Sequence, residues 1–376
     1  MIRLAIPSIE EDDLAAVREA LASGFLVQGA RVADFEKALA EFIGVPHAIA
    51  VSNCTCALHL ALLALDVQPG DICVVTAYSW ISTANVIELC GARAVFVDVE
   101  PDTFNMDPDQ LARVLDKLTA DKDTAGRVKA VLPVHTFGQM ANMGAIRGIS
   151  MLHGIPVIED AACALGATLH GRQAGTWSAM GCFSFHPRKA ITTGEGGLIT
   201  TSDDALARRL RALRNHGLDP VSSTPDFIMP GHNYRMTEFQ AALGSTQLAK
   251  FPRILAARRA GAENYDHLLA GALLQPPARK AGSEHVFQSY VTLLPRESAP
   301  RRAEIIRQAR VAGVELQVGT IHMPLTTYYR QRGGHKAGDF PVTDDIAARS
   351  LTLPLYEGTT PDQQAEVVQT VLRLLN

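Results

Sequence analysis

Through the first 160 residues, short apolar runs alternate with longer stretches of helical periodicity, and this alternation restricts the fold more than any other feature of the chain. Runs at 47–52, 71–76, 94–98, 129–134 and 156–160 read as strands. Stretches at 57–65, 78–90, 107–118 and 143–153 read as the helices between them, after two N-terminal helices at 10–23 and 32–43. Several strand runs are wholly apolar, which suits strands covered on both faces, and regular strand–helix alternation suits a mainly parallel sheet. In such sheets ligands collect beyond the carboxyl ends of the strands. Ser52-Asn53-Cys54-Thr55, Tyr78-Ser79-Trp80, His135 and Asp160 all fall at such ends. Their convergence marks one sheet edge as the candidate site.

The remaining chain predicts a second unit. A charged helix at 203–216 is followed by a Pro- and Gly-containing loop at 217–232 and a long helical stretch at 237–269, which opens on Thr237 and Gln240 at capping-box spacing. Pro252 should kink or break that helix, so the change of domain is expected near 246–256, giving a large domain at 1–250 and a smaller α/β domain at 251–376. The smaller domain would hold strands at 287–293 and 314–318 and helices at 301–312 and 361–375. A length of 376 residues accommodates both units. A formal net charge of −4 gives no bulk electrostatic reason to expect nucleic acid or membrane partners. The N-terminal residues lack a signal-peptide pattern, and no apolar run reaches the roughly 20 residues of a membrane helix. The six cysteines make neither a disulfide framework nor a paired zinc motif, so reduced, buried thiols in a cytoplasmic protein are expected.

The segment Gly181 to Gly197 carries a single lysine, Lys189, in a polar elbow between apolar runs, with Gly194, Gly196 and Gly197 just after it. A lysine held in a tight, low-dielectric place can free its lone pair and attack a carbonyl; the same residue on an ordinary loop would only be solvated. Its companions at the sheet edge favour the first reading. A group bearing an aldehyde, a ring nitrogen and a phosphate would need an amine, a carboxylate, anion donors and a flat side chain. Lys189 is the amine and Asp160 the carboxylate. Ser184 and the helix N-terminus at Thr55 and Cys56 offer anion donors, and Trp80 is the flat side chain. Each also has an ordinary role: a turn residue for Asp160, a core residue for Trp80, a cap for the 52–55 turn.

Together these motifs resemble the sugar-nucleotide aminotransferases of the DegT/StrS type. The resemblance lies in Ser52-Asn53-Cys54-Thr55-Cys56-Ala57, Pro133-Val134-His135-Thr136-Phe137-Gly138-Gln139, Glu159-Asp160-Ala161-Ala162-Cys163, Phe183-Ser184-Phe185-His186-Pro187-Arg188-Lys189, Thr192-Thr193-Gly194-Glu195-Gly196-Gly197 and Gly231-His232-Asn233-Tyr234-Arg235-Met236. It covers the chain from about residue 4 to its end and implies a fold type I enzyme that uses pyridoxal 5'-phosphate. It implies Lys189 as the Schiff-base lysine and Asp160 as partner of the pyridine nitrogen. Trp80 would stack on the ring. Thr55, Cys56 and Ser184 would hold the phosphate, with Asn233 reaching it from the second chain of a homodimer. The implied reaction moves an amino group, from glutamate as donor, to a nucleotide-linked 3- or 4-ketosugar for a surface glycan or secondary metabolite. His186, Arg188, Arg235 and His322 are candidates for contact with substrate, and either arginine could equally make a structural ion pair. Two positions depart from the family pattern. Cys54 stands where glycine is frequent, and Cys163 where glutamine is common. The alternatives are a pyridoxamine-type dehydratase or an epimerase on a similar sugar, and a regulatory relative without turnover. A lysine at 189, rather than histidine, favours transamination.

Overall fold

The computed structural model describes residues 1–375. Its centre is a three-stranded and a four-stranded sheet joined side by side. Ile72–Thr76 lies between Arg93–Val97 and Val128–Leu132, all parallel. Parallel bridges from Val131 to Val157 and from Val134 to Asp160 continue to Ile158–Asp160, which runs parallel to Met180–Ser184. Gly197–Thr201 then pairs antiparallel with both Met180–Ser184 and His47–Val51. A parallel partner needs a crossover, usually a helix, and the 185–196 connection contains none, so the strand returns in the opposite sense.

Burial along the strands explains their apolar composition. Ala48, Ala50, Ile72, Val74, Val131, Phe183 and Leu198 face one core. Their neighbours Ile49, Val51, Cys73, Val75, Leu132, Cys182 and Ile199 face another. Successive side chains point to opposite faces, so both faces are covered as expected. Ala30–Ile43 packs Phe35 and Leu39 into the first core, and Cys54–Ala64 packs Leu58 and Leu60 into the second. A third core gathers Tyr265, Tyr290, Leu353 and Val371 around the antiparallel pair Tyr290–Leu293 and Ser350–Leu353, with Ile2 from the other end of the chain.

Buried carboxylates cap helices that are remote in sequence. Glu238 accepts from the amides of Gly29, Arg31 and Val32 at 2.7, 3.0 and 3.0 Å, satisfying first-turn donors of Ala30–Ile43. Asp98 does the same for Pro341–Arg349 through Val342 and Thr343.

Four elements differ from the expectation. The 78–90 helix begins only at Ser82, because Tyr78–Ser79 pairs as a short strand with Ile321–His322. The helix Glu238–Leu268 is unbroken across Pro252: Phe251 and Ile254 are buried in the first core, and Ala262 and Tyr265 in the third, so packing at both ends outweighs the hydrogen bond proline removes. The strand expected from 287 starts at Tyr290, since Phe287 has φ 46°, outside the extended region. The 314–318 stretch forms only isolated bridges, Ile2 with Val314 and Gln317 with Thr352. Among the described residues no helix is long and apolar enough to cross a membrane.

Candidate active site

The site grows from the carboxyl end of Ile158–Asp160. Glu159 and Asp160 are both buried, and alternation sends their side chains to opposite faces. Glu159 accepts from the amides of Gly175 and Trp177 at 2.8 and 2.9 Å and lies 2.9 Å from His135 Nε2. The Ala141 amide donates to His135 Nδ1 at 3.2 Å, so Nε2 carries the proton and donates to Glu159. This network anchors the strand from behind.

Asp160 faces the site, only 4% exposed. Thr83 Oγ1 donates to its Oδ2 at 2.7 Å, and the Ala162 amide to its Oδ1 at 3.1 Å. Burial pushes its carboxyl above the ordinary aspartate range, against these two bonds and the nearby Lys189 charge. Lys189 is half-buried, with Nζ 3.1 Å from Cys163 Sγ. Burial works against its charge, yet Cys163, Cys54 and Asp160 together hold the ammonium above the ordinary lysine value. Burial also pushes the Cys54 thiol well up. Lys189, Asp160, Cys54 and Cys163 thus form one electrostatic group.

A glycine joins this group to the anion donors. Gly197 pairs with Val51 on one side and Ser184 on the other. A Cβ there would lie 2.4 Å from the Asn53 carbonyl carbon and 2.7 Å from the Cys54 nitrogen. Only glycine lets the start of Cys54–Ala64 pass so close to Ser184. Asn53 caps this helix, accepting from the Cys56 amide at 2.9 Å. The Cys54 and Thr55 amides remain in the open first turn, where the helix offers no carbonyl partner. Cys56 is engaged twice, since its thiol also receives the Ser52 hydroxyl at 3.3 Å.

The remaining expected residues fall into two groups. Trp80 is 65% exposed and outside the helix; its carbonyl lies 3.2 Å from Thr83 Oγ1, a longer alternative to Asp160 for the single hydroxyl proton. His186 Nδ1 accepts from the Arg188 amide at 3.2 Å, and Arg188 donates to Gln317 at 3.0 Å. Burial pulls the His186 imidazole below its ordinary value. The structure does not bring Asn233 and Arg235 to Lys189 as partners within this chain. Arg235 Nε donates to Asn233 at 3.0 Å and its Nη1 to Asn215 at 3.2 Å. Their segment lies beside Val51 and Ser52 through an antiparallel bridge. His322 is paired with Asp344 at 2.9 Å, and its buried Nδ1 has no partner among the described residues. Of the cysteines, Cys73, Cys90 and Cys182 are buried as expected, whereas Cys54, Cys56 and Cys163 are only partly so, and all six are free thiols. Thr83 was not legible beforehand: it is 77 positions from Asp160, and a threonine in a helix carries no mark of a distant partner.

Comparisons with known proteins bear on the family and the fold. The model of the DegT/DnrJ/EryC1/StrS aminotransferase family matches residues 7–372. The chain is 36% identical over 378 residues to GDP-perosamine synthase of Caulobacter vibrioides, covering 100% of this chain and 98% of the relative. It is similar to the solved aminotransferase TlmJ of Streptoalloteichus hindustanus, with a TM-score of 0.90, 32% identity and coverage of 99% and 98% of the two chains. The PLP form of Spr1654 from Streptococcus pneumoniae superimposes with a TM-score of 0.91 at 27% identity, covering 100% and 98%. These neighbours share the fold type I architecture, and the chain is an enzyme that belongs to the DegT/DnrJ/EryC1/StrS aminotransferase family.

Proposed function

We propose that this enzyme is a cytoplasmic homodimer that uses pyridoxal 5'-phosphate to transfer an amino group from glutamate to a nucleotide-linked 3- or 4-keto-6-deoxyhexose, yielding an amino sugar nucleotide for polysaccharide synthesis. The observation that carries the reading is the grouping of Lys189 and Asp160 with Ser184 and the open first turn of Cys54–Ala64, made possible by the bare Gly197. That donor set fits the cofactor: an amine for its aldehyde, a buried carboxylate for its ring nitrogen, and a hydroxyl with helix amides for its phosphate. When bound, pyridoxal phosphate supplies the aldehyde and an electron sink that loosens the proton beside the donor's amine.

The protein's own contributions follow. Asp160, held by Thr83 and Ala162, keeps a proton on the ring nitrogen. Lys189 takes the proton released from the donor and returns it to the acceptor, general acid–base work that needs its amine close and free to alternate. Thr55, Cys56 and Ser184 would hold the phosphate, joined by Asn233 from the second chain, and Trp80 would cover the ring. His186, Arg188, Arg235 and His322 are the candidates to receive the donor carboxylate or the sugar diphosphate. Phe25, Val27 and Phe227 are exposed apolar side chains of the kind a second copy covers. The resemblance to a GDP-perosamine synthase supports a nucleotide-linked substrate. A division into domains at 1–250 and 251–376 is supported by the third core, whose residues apart from Ile2 all lie at 262 or beyond, with the boundary inside Glu238–Leu268.

The test is a panel of UDP-, dTDP- and GDP-linked 3- and 4-ketosugars incubated with glutamate and the loaded enzyme. Amination is expected to release 2-oxoglutarate and give an amino-sugar mass, and Lys189→Ala should abolish both the visible cofactor absorbance and turnover. A product mass of dehydration, a ketosugar of unchanged mass with an inverted centre by NMR, or full turnover by Lys189→Ala, would overturn the reading.

A further inference from the structure

Lys189 stands in a turn whose closing hydrogen bond runs from its own amide to the His186 carbonyl at 2.8 Å. The two peptide groups that flank Lys189 are both held by one further side chain. Gln288 Oε1 accepts from the Ala190 amide at 3.0 Å, and Gln288 Nε2 donates to the Arg188 carbonyl. The Arg188 carbonyl belongs to the peptide group before Lys189, and the Ala190 amide to the one after it. Rotation about the Lys189 φ and ψ turns these two planes against each other. Tying both to one planar amide suppresses that rotation. Neither a carboxylate nor an apolar side chain could do this, because the task needs a donor and an acceptor on the same rigid group.

Gln288 is itself anchored. It is buried, and Arg258 Nη1 lies 3.3 Å from its carbonyl, 3.2 Å from that of Phe287 and 3.2 Å from that of Leu355. Phe287 and Leu355 belong to the C-terminal core. We propose that Gln288 is a positioning residue for Lys189, holding the peptide groups on both its sides so that the C-terminal core sets where the Lys189 amine stands. The consequence for catalysis rests on Lys189 bearing the cofactor; the hold on the backbone does not.

Two measurements separate the two. In cofactor-free Gln288→Met, amide hydrogen exchange over 186–193 should quicken about tenfold relative to native protein. In the loaded enzyme, kcat should fall about tenfold with the donor KM within about twofold, and the pH midpoint of the visible absorbance should move. Gln364→Met removes another buried amide of the C-terminal region, one bonded to Asn264 and Gly261. It should lower the unfolding midpoint yet leave the 186–193 exchange and the absorbance midpoint native. If Gln288→Met does not fold, Gln288→Glu serves instead: it keeps an acceptor for Ala190, sets a carboxylate against the Arg188 carbonyl, and should give the same shifts. Native exchange and a native absorbance midpoint in the folded variant would overturn the proposal. So would fast exchange over 186–193 in the native protein while the central sheet stays protected. Quickened exchange with no cofactor absorbance in any protein, native included, would uphold the hold on the backbone and instead sink the assignment of Lys189 as the cofactor-bearing residue.

Discussion

The Thr83 hydroxyl donates a 2.7 Å hydrogen bond to Asp160 Oδ2, with both residues buried. Burial alone drives the carboxyl toward its neutral form, and a neutral Asp160 could not hold a proton on a ring nitrogen. Thr83→Val keeps the shape and removes the donor, at a cost of about 1.5–3 kcal/mol for a bond to a charged group. Cofactor affinity should fall by about tenfold to a hundredfold, and Thr83→Ser should recover most of it. Equilibrium binding to the apoenzyme checks this, and unchanged affinity in Thr83→Val would remove Thr83 from the account.

Cys163 sits 3.1 Å from Lys189 Nζ and helps hold the ammonium above the usual lysine value. A raised value means that, at a given pH, less of the amine is free to attack an aldehyde. Removing Cys163 takes away an influence that raises the value, so the value falls and more amine is free. Cysteine-to-alanine substitution at 163 should therefore quicken cofactor capture at neutral pH and shift its rate–pH curve to lower pH. Stopped-flow capture between pH 6 and pH 9 reads this directly; a curve moved upward would reverse the assignment.

Gly197→Ala tests the junction between Ser184 and the 54–64 helix. Its Cβ would overlap the Asn53–Cys54 backbone, and backbone cannot swing aside as a side chain can. Overpacking of this kind costs about 1–3 kcal/mol, and the helix start must move away from Ser184. We expect a lowered unfolding midpoint together with loss of phosphate-competitive cofactor binding. A stable variant with native binding would show that the close approach is dispensable.

Glu238 holds three amides at the start of Ala30–Ile43 from 206 or more positions away. Glu238→Ala orphans these donors, two of them in the helix's first turn, and should lower stability by about 2–4 kcal/mol, read as a shift in urea midpoint at constant m-value. Glu238→Gln, which keeps one acceptor oxygen, should fall between the two. Equal stability of all three would mean the amides find other partners.

Much of the fold was written in local pattern. The apolar runs specified a sheet buried on both faces, because alternating residues of each strand enter opposite cores. Lys189, Asp160 and Ser184 could be singled out as candidates because strand ends and a glycine-rich elbow are local features and the motifs around them resemble a family. What the chain's order could not reveal were relationships made across it. Thr83 reaches Asp160, Gln288 spans the peptides around Lys189, and Pro252 sits inside an unbroken helix. Tyr78–Ser79 became a strand because Ile321–His322 lies beside it, not because of any local preference. Local steric and hydrophobic preferences act over a few residues and are readable in sequence. Hydrogen-bond partners for buried groups are chosen by whatever packing brings near, and only the tertiary structure decides that.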